Sequence, residues 1–343
     1  MNRYHILLTI CIIMLLFCST TSADVTLAPV LQENADILPL IESNTQYEPY
    51  IAPPYGSIAR GYLTALSDDI GARNPGSLEE QETSAFIRSA LEDIGYTVET
   101  QPFSFETEDD ETLDSVNVIA EKKGLSNKTI LVGAHYDSVD DGDGADDNAA
   151  SVAVLLELAE QLQDTKTPYT ILFAVFGAEE ADLDGSRYYV QQIDQTERKN
   201  TIGMINLDSL IAGDILYLYG DKGVFIRDCI YTTASDDDIV LETRTARELD
   251  DPDGTPCECA DYSPFQKAGI PFAYLEATNW NEGEEDGLTQ VEMKYGEDGL
   301  IRHTRFDTTA YIDSTFPGRI DERLSEITRL LYDSLTGCKG PDT

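Results

Sequence analysis

Histidine is nearly absent from this chain. Among 343 residues it occurs three times, at His5, His135 and His303, and tryptophan occurs once. Positive charge is scarce as well. Lys and Arg total 23 against 64 Asp and Glu, a formal charge of −41. Such a surface repels nucleic acid and anionic membranes and argues against both as partners. Two origins of the acidity stay open: adaptation to high salt, where added ions screen the repulsion, or an ordinary acidic exported protein.

Residues 1–23 read as an export signal. Arg3 supplies the positive end, Ile6 to Cys18 an apolar stretch, and Thr21-Ser22-Ala23 small residues for cleavage. The stretch is shorter than the roughly 20 residues of a membrane helix. Retention as an uncleaved anchor is the alternative, and a lipoprotein at Cys18 is disfavoured by the bulky Phe17 before it. The expected location is secreted or otherwise extracytoplasmic, at a cell surface or in a periplasm-like space. There, Cys229, Cys257, Cys259 and Cys338 are expected to form one or two disulfides. A bridge from Cys257 to Cys259 spans one residue and reads as strained, so each is expected to pair elsewhere. A zinc site built from these four lacks the usual two-residue spacing and a nearby histidine.

Residues 24–55 read as an N-terminal extension, ending in Pro53-Pro54, and 56–338 as one catalytic domain. Strands are expected at 96–105, 115–120, 129–134, 169–176, 202–207, 215–219, 239–243 and 271–275. Helices are expected around 85–94 and at 147–162, 186–193, 224–234 and 314–335. The alternation implies a three-layer α/β/α sandwich around a mixed, mostly parallel sheet.

In such sheets, sites form where loops leave the carboxyl ends of strands. His135 and Asp137 end one expected strand, Glu179-Glu180 follow another, and Asp208 ends a third. Asp147 opens a helix and His303 lies in a late loop. Alone, a strand-end Asp is usually a cap and a Glu-Glu pair a solvated surface. Together they are two imidazoles and four carboxylates, with Asp137 placed to hold the His135 ring. That set suits two zinc ions sharing one carboxylate, with one glutamate left to move protons.

The pieces Gly133-Ala134-His135-Tyr136-Asp137-Ser138, Gly144-Ala145-Asp146-Asp147-Asn148, Ala178-Glu179-Glu180, Asn206-Leu207-Asp208 and His303-Thr304 resemble metallopeptidase family twenty-eight, the secreted dizinc aminopeptidases of the Y and S kind. Ile70-Gly71-Ala72-Arg73-Asn74-Pro75-Gly76-Ser77 resembles that family's opening segment. Ala273-Tyr274-Leu275-Glu276-Ala277-Thr278-Asn279-Trp280 is similar to the alkaline phosphatase isozyme conversion subgroup, which implies removal of an N-terminal arginine. The resemblance implies two Zn²⁺ per chain, one held by His135 and Asp208, the other by Glu180 and His303, with Asp147 between them. It implies Glu179 as general base and acid, and peptides or proteins with a free N-terminus as substrates; a monomer is expected.

Two departures stand out. Ala260-Asp261-Tyr262 replaces the family's frequent Ser-Asp-His, and Cys257-Glu258-Cys259 replaces a tyrosine-cysteine pair, which leaves Tyr262 as a candidate oxyanion donor. Rival readings are a carboxypeptidase, with Arg305 as the cation for a terminal carboxylate, a single-zinc glutaminyl cyclase, or a non-catalytic ectodomain. The acidic loop Asp250-Asp251-Pro252-Asp253-Gly254 lacks a full calcium-loop pattern and reads as solvated.

Overall fold

The computed structural model describes residues 54–107, 109–249 and 257–340. The export signal, most of the extension and the loop at 250–254 lie outside the described residues. Helix α1 (Ser57–Leu63) runs on through a wider turn at Thr64–Ile70, and α2 spans Leu78–Ile94. Strands β1 (Val98–Glu106), β2 (Thr112–Lys122) and β3 (Ser126–His135) follow, then α3 (Ala150–Leu162) and β4 (Tyr169–Phe176). Next come α4 (Asp184–Gln192), α5 (Gln195–Asn200), β5 (Thr201–Leu207), β6 (Ile215–Tyr219), α6 (Phe225–Asp236) and β7 (Glu242–Arg244). The chain ends with α7 (Tyr262–Lys267), β8 (Phe272–Thr278), α8 (Thr309–Thr315) and α9 (Arg319–Gly337).

The strands form one sheet in the order β1-β2-β4-β3-β5-β8-β6-β7. Its centre, β4-β3-β5-β8, is parallel, while β1, β2 and β6 join antiparallel. Side chains alternate between faces. On β3, Ile130, Val132 and Ala134 pack under the helices α1, α2, α3 and α9, while Leu131 points to the other layer with Phe176, Met204 and Phe265. Because both faces are covered, the central strands are mostly apolar, with buried polar residues such as Asn206 on β5 and Glu276 on β8. No helix among the described residues is long and apolar enough to cross a membrane.

Three expectations change. The helix expected from Asp147 begins at Ala150, because Asp147 and Asn148 have non-helical backbones. The helix expected over 314–335 is two, α8 and α9, broken at Phe316-Pro317-Gly318, where Gly318 turns with φ of 86°. The cysteines pair as Cys229–Cys338, with Cα atoms 6.0 Å apart, and as Cys257–Cys259, the bridge the sequence argued against. Once α6 and the end of α9 bring Cys229 to Cys338, Cys257 and Cys259 have only each other among the described residues, and their Cα atoms lie 5.3 Å apart.

Candidate active site

The six acidic and imidazole groups converge at the carboxyl ends of β3, β4 and β5. His135 is the last residue of β3, and its ring is buried. Asp208 follows β5 directly, and Glu179 and Glu180 follow β4 after the bend at Ala178. Ala178, Ser209 and His303 all have positive φ, at 52°, 51° and 56°. Non-glycine residues seldom adopt this conformation unless their surroundings hold them there.

Asp147 is the centre of the cluster. One carboxylate oxygen, Oδ1, lies 3.1 Å from His135 Nε2, and the other, Oδ2, lies 3.1 Å from His303 Nε2. Asp208 Oδ1 is 3.8 Å from His135 Nε2, and Glu180 Oε2 is 3.1 Å from His303 Nε2. Glu179 Oε2 stands 3.9 Å from His135 Nε2, beyond hydrogen-bond reach. Two triads of potential ligands result: His135, Glu179 and Asp208, and Asp147, Glu180 and His303. All seven residues singled out from the sequence, Asp137 included, are brought together.

Asp137 faces the His135 ring, as expected, and has a second task besides. His135 Nδ1 is 3.2 Å from the backbone carbonyl of Asp137 and 3.6 Å from its carboxylate. The carboxylate also accepts from the backbone N–H groups of Glu179 and Glu180, both at 3.0 Å. It therefore fixes the bend that aims both glutamates.

Further supports escaped the sequence. Asp307 accepts from the N–H groups of Asp146 and Asp147, and Asn148 clasps Leu207 O and Ser209 N on either side of Asp208. Glu80, on α2, accepts from Ala178 N and Gly76 N and from the Ser115 hydroxyl. Arg73 is wholly buried and donates to the carbonyls of Leu66, Gly71, Tyr136, Asp143 and Gly144. Burial brings its guanidinium down to about 10, against the pull of Asp307 and neighbouring carboxylates. Gly144 has φ of 56°, and a Cβ there would lie 2.7 Å from Arg73 Nη2. The only local sign of these roles was the Gly-Ala-Arg-Asn-Pro-Gly-Ser stretch around Arg73.

The electrostatics are those of crowded carboxylates. Burial raises Glu179 well above the usual carboxylate range, and Asp261, Glu180 and Asp208 add to the effect. Burial and Asp147 raise Glu180 as well. His303 is held at about 11 by its contacts to Asp147 and Glu180. Burial works against His135, yet Glu179, Asp137, Asp147 and Asp208 together hold it well above its ordinary value. Asp147 is lowered, its burial outweighed by the two imidazoles. One buried oxygen, Glu180 Oε1, has no hydrogen-bond partner. Two imidazoles cannot balance this many carboxylates. Cations bound among these nitrogen and oxygen donors would balance them, and the donor set fits zinc.

The profile of peptidase family M28 matches residues 117–328, the stretch that carries all six of the converging acidic and imidazole groups. The chain belongs to that family. It is a peptide hydrolase by descent. The alkaline phosphatase isozyme conversion protein of Escherichia coli K12 is 31% identical over 312 residues, covering 82% of this chain and 90% of that one. Aminopeptidase YwaD of Bacillus subtilis is 30% identical over 240 residues, which is 67% of this chain and 47% of that longer protein. Among solved structures, a zinc aminopeptidase from Bacillus subtilis superposes with a TM-score of 0.67 at 18% identity, covering 85% of this chain and 98% of its own. The glutaminyl cyclase of Porphyromonas gingivalis superposes at 0.63 with 21% identity, covering 82% and 98%. At such identities these two likenesses speak for the fold. This M28 peptidase shares it with enzymes of more than one reaction.

The remaining candidates make contacts outside the cluster. Tyr262 is buried and stacked on Phe272 at 4.2 Å, with its hydroxyl 3.4 Å from Cys259 Sγ. Arg305 lies over the Phe306 ring, 4.9 Å from its centroid. Asp261 is buried with both carboxylate oxygens lacking a hydrogen-bond partner, and burial raises it to about 7.

Proposed function

We propose that this zinc-dependent aminopeptidase is an exported enzyme that binds two zinc ions and uses Glu179 to move protons. The observation that carries the reading is the placing of Asp147, whose two oxygens each meet a different imidazole at 3.1 Å. His135 and Asp208 would hold one ion, Glu180 and His303 the other, and Asp147 would serve both. Bound zinc supplies Lewis-acid polarisation of the scissile carbonyl and lowers the pKa of water to about 7.

Between the two adjacent glutamates, geometry favours Glu179 as the proton carrier. Glu180 is committed to His303, whereas Glu179 bonds to neither imidazole. Its carboxylate would accept the proton of the attacking water and then deliver it to the departing amine. Asp137 holds the backbone of both glutamates, so the carrier and the ligand keep a fixed separation. The substrates would be peptides or proteins with a free N-terminus, and the −41 charge favours cationic ones. The likeness to the isozyme conversion protein supports the same preference.

The test uses paired peptides, one blocked at its N-terminus and one at its C-terminus, with a panel of aminoacyl chromogenic substrates. Cleavage of the C-blocked peptide alone, abolished by a chelator and restored by zinc, is the expected result. Cleavage of the N-blocked peptide alone would establish a carboxypeptidase instead. Release of pyroglutamyl product from N-terminal glutamine, with no peptide cleavage, would establish a cyclase.

A further inference from the structure

Gln290 is fully buried in the segment between β8 and His303, and its side chain makes three hydrogen bonds. Oε1 accepts from Ile301 N at 3.0 Å and Arg302 N at 2.7 Å. Two backbone donors on one atom fix it as the oxygen. Nε2 then donates to Asp146 Oδ2 at 2.6 Å. The other oxygen of Asp146 accepts from Ile211 N and Ala212 N, just past Asp208. Gln290 is itself anchored, since its own N–H donates to Gly299 O and its carbonyl accepts from Asp214 N, both at 2.9 Å.

One amide thus spans two stretches that are distant in sequence and meet at the metal centre. At one end is Asp146, the neighbour of Asp147. At the other are the two peptide groups before His303, whose φ of 56° needs outside support. Asp147 and His303, whose Oδ2 and Nε2 lie 3.1 Å apart within one half of the centre, each adjoin one end of this tie in sequence. Replacing the amide leaves buried polar groups unpaired at both ends.

We propose that Gln290 is a positioning residue for zinc, setting the spacing between Asp147 and His303 so that the half-site of Asp147, Glu180 and His303 can close on its ion. The inference rests on the two-zinc reading above. The half-site of His135 and Asp208 depends on it less directly, through Asp146 and the far oxygen of the shared Asp147. Two variants separate the contributions. Gln290→Leu is similar in size and removes all three bonds. Gln290→Glu keeps an acceptor for Ile301 and Arg302 but sets a carboxylate against Asp146.

The experiment is calorimetric titration of the metal-free full-length protein and both variants with zinc, beside circular dichroism and melting temperature of the metal-free forms. Wild type is expected to take two equivalents. Each variant is expected to keep one zinc step and lose roughly 10–100-fold affinity in the other, with a folded metal-free spectrum. Both steps unchanged, or both weakened alike, would overturn the proposal. So would failure of both variants to fold, which would make Gln290 a general support of the core. A wild-type chain that takes fewer than two zinc would defeat the two-metal reading itself, whatever the variants do.

Discussion

The sharpest test at the residue scale lies between two adjacent glutamates. In Glu179→Gln the amide cannot accept a proton, but no imidazole loses a hydrogen bond, because Glu179 makes none to either ring. Turnover is expected to fall by about 10²–10⁴-fold with zinc content and KM nearly unchanged, as read by steady-state kinetics and metal analysis. In Glu180→Gln the loss should appear first as zinc released from the His303 side. A Glu179→Gln enzyme with full activity would remove Glu179 from the mechanism.

Glu80 carries a pH signature. Burial, followed by the charge of Asp137, raises it from 4.5 to about 7 despite the donors around it. In the unfolded chain the carboxyl releases its proton near 4.5, while the folded protein holds it to about 7. The folded state therefore binds more protons across that window, and stability falls as pH rises through it. The full difference is worth on the order of 3 kcal/mol. Glu80→Gln has no such proton to lose. Its unfolding free energy relative to wild type should improve from pH 4.5 to 7.5 in urea titrations. A difference that does not change with pH would mean that Glu80 is ionised throughout.

At the scale of elements, one buried side chain ties the first helix to the central one. Glu157 of α3 accepts from Gly56 N at 2.9 Å and Ala59 N at 2.7 Å, serving as the missing N-cap of α1 from another helix. Glu157→Ala leaves two buried N–H groups unpaired and should cost about 2–4 kcal/mol in denaturant unfolding. Glu157→Gln, which keeps one acceptor, should cost less. Equal stability of all three proteins would show that α1 is held by its apolar face alone.

Such ties explain what could be read from the linear chain. Apolar runs such as Thr129 to Ala134 announced the central strands, since burial on both faces favours apolar side chains on each. The ligands were legible because their chemistry sits in short pieces at strand ends. The supports were not. Glu80, Asn148, Gln290 and Asp307 act on backbone N–H and C=O groups far away in sequence, and backbone groups carry no local sign of their partners. Asp137 was read as the partner of the imidazole two residues away, which it faces, but the hold of its carboxylate on Glu179 and Glu180 had no local sign. The helix start at Asp147 misled for the same reason: an Asp before an apolar helix has the pattern of a cap, while here it is bent aside to meet two histidines.

For the whole molecule, the excess of acid sets the conditions for stability. With 64 acidic against 23 basic residues, most surface carboxylates repel one another at low salt. The screening length falls from about 10 Å at 0.1 M to about 3 Å at 1 M salt, so the melting temperature should rise over that range. A flat or falling dependence would count against self-repulsion as a major destabilising force. The two disulfides differ in reach: Cys229–Cys338 closes a separation of 109 residues and Cys257–Cys259 one of 2. Loop entropy therefore assigns nearly all disulfide stabilisation to the first.

The same surplus of negative charge, concentrated around Asp147, is what the centre asks cations to balance. The most direct test is to titrate zinc into metal-free enzyme while following hydrolysis of an aminoacyl substrate. Activity absent without metal and rising to a plateau at two equivalents is the predicted result. Full activity at one equivalent, or without any metal, would contradict a centre built around the shared carboxylate of Asp147.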